Sequence, residues 1–149
     1  MNRFLDERRS PFPWVGTVLL VTLAIAGCGG DQLSTAPVQG KVLYQGKPLQ
    51  FGAVTFQPAA GPPASGAIQS DGTFRLSTYG RNDGAILGTH KVAVSCFDSQ
   101  RPDAPPPDPN AEPGLGKPLI PQKYLSADTS GLTAEVKSRN EPFEFQLTD

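Results

Sequence analysis

The apolar positions follow two different patterns, and the change falls near residue 28. From Trp14 to Ala26 the chain is almost continuously apolar: Trp-Val-Gly-Thr-Val-Leu-Leu-Val-Thr-Leu-Ala-Ile-Ala. A run of about 13 residues fits a signal-peptide core and falls short of the ~20 needed to cross a bilayer as a helix. From Ala36 onward the apolar residues alternate with polar ones, the period of a half-buried strand. No helical period follows Cys28.

Val38, Val42 and Tyr44 share one face of the first extended run, with Gln39, Lys41 and Leu43 on the other. Gln45-Gly46-Lys47-Pro48 predicts a turn, Gly46 being free to take positive φ. Ala53–Gln57 predicts a second strand with Val54 and Phe56 facing inward, and Pro58 to Pro63 ends it. Gly66–Gln69 and Thr73–Leu76 flank Asp71-Gly72, a strong hairpin signal. Thr78 to Leu87 reads as a loop. Gly88–Cys96 resumes as a strand with His90, Val92, Val94 and Cys96 on one face. Leu132–Val136 and Phe143–Leu147 complete the set.

About seven short strands at near-regular spacing predict an all-β fold, an antiparallel Greek-key β-sandwich. Its core is expected to hold Val42, Tyr44, Val54, Phe56, Ile68, Phe74, Leu76, Val92, Val94, Leu132, Val136, Phe143, Phe145 and Leu147. Arg101 to Pro118 carries seven prolines, which cannot pair in a sheet interior, so 101–118 is expected to be a long solvated loop.

Composition agrees with many turns, the 149 residues including 16 Gly and 16 Pro. The formal net charge of −1 leaves no basic footprint for nucleic acid. With a single histidine, His90, no zinc site of His and Cys ligands is expected. Asp71, Asp83, Asp98, Asp103, Asp108 and Asp128 are scattered and make no calcium loop. No cofactor and no metal is therefore expected. Cys96 reads as a small buried hydrophobe, and His90 as a structural residue near a sheet end.

At the boundary stands Ile25-Ala26-Gly27-Cys28, preceded by Arg3, Arg8 and Arg9 and the apolar run. This tetrapeptide resembles the bacterial lipobox: a branched apolar residue, two small residues and a cysteine. The resemblance implies cleavage between Gly27 and Cys28 and a diacylglyceryl thioether on the Cys28 sulfur. The chemistry of the residues agrees. Small side chains let an extended backbone enter a protease groove, and a thiol alkylates to a stable thioether. Residues 1–27 are then a cleaved hydrophobic signal helix, 28–36 a lipidated flexible tether, and 37–149 the folded domain. Gly29 after the cysteine, where an aspartate would resemble an inner-membrane retention signal, favours the outer membrane, on its periplasmic or surface face.

The folded part resembles small bacterial lipoproteins with a transthyretin-like, or carboxypeptidase-regulatory-like, domain. The matching segments are Val38-Gln39-Gly40-Lys41-Val42-Leu43-Tyr44-Gln45-Gly46-Lys47-Pro48-Leu49, Val54-Thr55-Phe56, Ser70-Asp71-Gly72-Thr73-Phe74-Arg75-Leu76, Gly88–Val94, Ile120-Pro121-Gln122-Lys123-Tyr124 and Thr129–Leu132. The Pro-rich stretch departs from that pattern. The resemblance implies a prealbumin-like sandwich and is nearly silent on activity, because one scaffold hosts many functions.

The expected function is a lipid-anchored cell-envelope protein whose non-catalytic sandwich is a binding, adhesive or structural module. Its partners are the membrane, through the lipid on Cys28, and an envelope protein or a polysaccharide. A second reading makes the domain an accessory to a separate envelope enzyme. A hydrolase of the transthyretin-related type needs several histidines, an arginine and a closing Tyr-Arg-Gly-Ser. His90 stands alone here, and the chain ends Gln146-Leu147-Thr148-Asp149, so no enzyme is expected. An isopeptide bond between Lys41 and Asn140 is disfavoured because Lys41 falls on the face opposite Val42 and Tyr44.

Overall fold

Alternation along the chain becomes two four-stranded sheets and one small two-stranded sheet in the computed structural model, which describes residues 32–106, 114 and 116–149. The strands are β1 (Thr35–Ala36), β2 (Gln39–Tyr44), β3 (Lys47–Pro48), β4 (Ala53–Pro58), β5 (Ala64–Ala67), β6 (Thr73–Arg75), β7 (Ala85–Ile86), β8 (Gly88–Ser95), β9 (Leu132–Val136) and β10 (Phe143–Leu147). Among the described residues the helical elements are two single 3-10 turns, Asp98–Gln100 and Gln122–Leu125. The all-β expectation holds, and the seven predicted strands are β2, β4, β5, β6, β8, β9 and β10.

The first sheet is built on β2, with β10 on one side and β3 and β6 on the other. The second runs β5-β4-β8-β9, antiparallel throughout. Their inner faces meet at Phe56. Its ring lies 6.3 Å from Phe74, 5.7 Å from Phe143 and 5.9 Å from Phe145, all on the first sheet, and 5.6 Å from His90 on its own sheet. Tilted and edge-on aromatic contacts at these separations are favourable beyond the area they bury. Of the expected core, Tyr44, Leu132 and Phe143 are half-buried and pack against it, and the rest are buried.

Four local readings need correction. The set is not wholly antiparallel, since β10 runs parallel to β2, with Phe145 beside Val42. A parallel partner requires a long crossover, and β10 is the last strand, reached only after the chain has passed through every strand of the second sheet. The Asp71-Gly72 element is a turn, closed by a Gly72 N–H to Gln69 carbonyl bond of 2.8 Å, but its arms separate. β5 joins β4 in the second sheet and β6 joins β2 in the first, leaving only isolated bridges at Ser65–Ser77 and Ile68–Phe74 between them. The stretch read as a loop from Thr78 to Leu87 contains β7. Thr35 and Ala36, expected at the end of a flexible stretch 28–36, instead pair with Ile86 and Ala85.

The turn expected over Gln45–Pro48 is confined to Gln45-Gly46, with Lys47 and Pro48 forming β3. Gln45 and Gly46 have positive φ, 50° and 76°, the geometry of a two-residue hairpin whose twist matches its strands. The Pro-rich loop is closed at its base by a Phe97–Pro118 bridge and by bonds from Asp98 N–H to Lys117 carbonyl and Leu119 N–H to Cys96 carbonyl. Residues 107–113 and 115 lie outside the described residues.

Candidate functional site

Strand alternation gives the first sheet an outward face as well as an inward one. Gly40 and Val42 of β2, Phe74 of β6, and Phe145 and Leu147 of β10 point into the core. Gln39, Lys41, Thr73, Arg75 and Glu144 therefore point away from it. Register sets them in rows: Glu144 beside Lys41 beside Thr73, and Gln39 beside Arg75.

These residues line an open depression of about 960 Å³ that continues onto Ser65 and Ala67 of β5. Lys41 and Arg75 sit diagonally on adjacent strands, and among the described residues neither has an ion-pair partner. Gln69, Ser77 and Asn82 add amide and hydroxyl groups at its margin. Bonds from the Thr73 hydroxyl and amide, with a smaller contribution from Lys41, hold the nearby Asp71 carboxyl below the usual range.

The backbone along this depression is already engaged. Ser65 and Ser77 exchange N–H to carbonyl bonds of 3.0 and 2.9 Å, and Gln69 N–H bonds the Thr73 carbonyl at 2.8 Å. The groups left open here are side chains rather than a free strand edge. That chemistry suits a polar ligand carrying acceptors and at least one negative charge.

Apart from Lys41, the residues singled out in the sequence for chemistry do not line the depression. Gly27 and Cys28 lie outside the described residues. Cys96 is buried, and burial pushes its thiol up to about 11, far from the thiolate character a nucleophile needs. His90 is buried against Phe56, with Nε2 2.7 Å from the Ile86 carbonyl, so Nε2 carries the proton and Nδ1 has no partner. Asn140 forms a turn of its own, its amide donating to the carbonyls of Lys137 and Pro37 and its Oδ1 accepting from the Lys137 N–H. Lys41 stays on the outer face, as expected.

Of the three tyrosines, Tyr124 is buried and its hydroxyl clamps Thr148 with two bonds of 3.0 Å. Tyr44 donates to Asp149 at 2.7 Å, and that bond raises the phenol and lowers the carboxyl. Tyr79 is exposed. Sequence reasoning missed the depression because Lys41, Arg75 and Glu144 look like ordinary outward positions on three separate strands. Only the pairing of β2 with both β6 and β10 makes them neighbours.

No group of three or more His, Cys, Asp or Glu side chains capable of holding a metal occurs among the described residues. Comparison of the chain with known protein families, with characterised proteins and with solved structures gives no match.

Proposed function

We propose that this protein is exported, lipidated on Cys28 and held at the cell envelope, with its β domain a non-catalytic module that binds a polar, anionic partner. The single observation that carries the anchor is the segment Ile25-Ala26-Gly27-Cys28 behind its apolar run. The binding role rests on the depression with its two unpaired cations, Lys41 and Arg75. The non-catalytic reading draws on the placement of the two side chains best suited to acid–base or nucleophilic work. His90 and Cys96 are both shut in the core.

We further read the domain as a transthyretin-like Greek-key sandwich of the outer envelope. The segments that carry the resemblance fall on β2, on the β2–β3 turn, on β4, on the Gln69–Thr73 turn and on β8. These are the parts of the fold that set strand order, so they speak for scaffold rather than for activity.

Cell fractionation tests the anchor. Wild-type protein is expected in the membrane fraction with acyl chains on Cys28, and Cys28→Ser is expected to be unlipidated and lost from that fraction, because two or more acyl chains are what hold such a protein firmly. An unchanged distribution for Cys28→Ser refutes lipidation. Affinity capture from envelope extracts with residues 28–149 tests the module: the double variant Lys41→Ala/Arg75→Ala is expected to lose the partner that the parent domain retains.

A further inference from the structure

Four large hydrophobic side chains are exposed among the described residues: Leu33 at 45%, Leu87 at 43%, Tyr79 at 39% and Leu119 at 38%. The first three gather around the β1–β7 pair. Leu33 N–H donates to the Tyr79 hydroxyl at 3.2 Å, and Leu87 N–H donates to the Ser34 carbonyl at 3.1 Å. The Leu33 and Ile86 side chains converge on Gly61, where an added Cβ would stand 2.8 Å from a terminal methyl of each. Gly61 belongs to the exposed, uncharged stretch Ala59-Ala60-Gly61-Pro62-Pro63, which extends the apolar area. Arg81, exposed in the same loop as Tyr79, supplies a cation at its margin.

Three exposed large hydrophobics brought together by separate segments of chain are unusual for a surface that meets only water. Their place in the chain says what they meet. Leu33 is five residues from Cys28, so a fully extended backbone keeps it within about 18 Å of the cysteine. Pairing of Thr35 and Ala36 with β7 removes any slack beyond that point. A cysteine sulfur carrying acyl chains lies at the headgroup level of a bilayer.

We propose that Leu33, Tyr79 and Leu87 form a membrane-seating patch that rests in the headgroup region beside the lipid anchor. It is the lipid bilayer that covers this face. Tyrosine and leucine suit that boundary, one end of it apolar and the other wet, and Arg81 meets the headgroup phosphates. The patch holds the domain in one orientation instead of leaving it to swing on its tether. This inference rests on the anchored reading of Cys28.

The test supplies the anchor chemically, so that its outcome is independent of lipidation in the cell. Asp31–Asp149 is a compact unit of its own, and its described core lies wholly after Leu33, so the test uses residues 28–149, with circular dichroism and cooperative urea unfolding as its folding control. In that chain the Cys28 thiol is coupled to a maleimide phospholipid in phosphatidylcholine–phosphatidylglycerol vesicles whose acyl chains carry bromine. Cys96 is buried and does not compete. Trp14 is absent from the chain, which makes Tyr79→Trp the sole tryptophan; Leu87→Trp is a second probe that keeps the Tyr79 hydroxyl bond. Lys47→Trp, on exposed β3 at the far end of β2 from β1, is the control.

Bromine is expected to quench Trp at 79 or 87 by about half or more and to leave Trp at 47 nearly unaffected, since apolar insertion at the headgroup boundary is only ~5–10 Å deep. Equal quenching at all three positions, or none at 79 and 87, overturns the patch. Loss of lipidation in the cell is read separately, by the Cys28→Ser fractionation, and bears on the anchor alone.

Discussion

Gly84 lies so close to Ala36 that a Cβ on it would stand 1.7 Å from the Ala36 carbonyl oxygen. The contact joins the loop before β7 to β1, the first strand of the described chain. Gly84 also has φ of 87°, a conformation in which a side chain is strained whatever the space around it. Gly84→Ala is therefore expected to destabilise the domain by about 2–4 kcal/mol, combining backbone strain with a clash that only separation of β1 from β7 can relieve. Urea unfolding measures the total. Amide exchange at Leu87, whose N–H bonds the Ser34 carbonyl, shows whether the pair opens, and unchanged protection there removes the explanation.

The same loop is held from inside by Asp83. Its Oδ1 accepts from the Thr78 N–H at 2.7 Å, and its Oδ2 accepts from the Tyr79 and Gly80 N–H groups at 2.9 Å each. Burial works against ionisation here, but the three backbone donors outweigh it, and the carboxyl is held below its ordinary value. A lowered folded-state pKa contributes stability that is present above the unfolded value, about 3.9, and is lost as pH falls through the folded one. Asp83→Asn keeps one acceptor oxygen and loses the other. It is expected to cost about 1–2 kcal/mol at neutral pH. The gap between the two proteins should narrow on acidification below about pH 4; a gap that stays constant there counts against the linkage.

Cys96 offers a test of burial in place of chemistry. With its thiol shut in the core and raised to about 11, it is expected to stay unmodified by aqueous disulfide reagents in the native protein and to react at once in denaturant. Residues 32–149, which contain no other cysteine, give a clean reading by thiol titration. Fast native modification contradicts the packing of β8 described above.

Much of the second sheet was legible in the sequence. The alternation of His90, Val92, Val94 and Cys96 against Lys91, Ala93 and Ser95 is the pattern of a strand with one wet face, and burial follows it residue by residue. The Gln45-Gly46 turn was legible too, since only a small set of residues tolerates its backbone. The two-residue strands β1 and β7 were not, being too short to leave a period. They exist because Thr35 and Ala36 meet Ile86 and Ala85 across some fifty residues of intervening chain.

The candidate site shows the same division. Local chemistry placed Lys41, Thr73, Arg75 and Glu144 on outward faces of their own strands. Which strand lies beside which is a long-range choice, made by packing around Phe56 and by the parallel pairing of β10 with β2. Alternation is a property of neighbours along the chain, so the sequence alone determined the longer strands and their faces. Pairing is a property of neighbours in space, settled by burial of both sheets at once. Tertiary structure therefore decided that two cations share one depression, and that the segments carrying Leu33, Tyr79 and Leu87 meet at the β1–β7 pair.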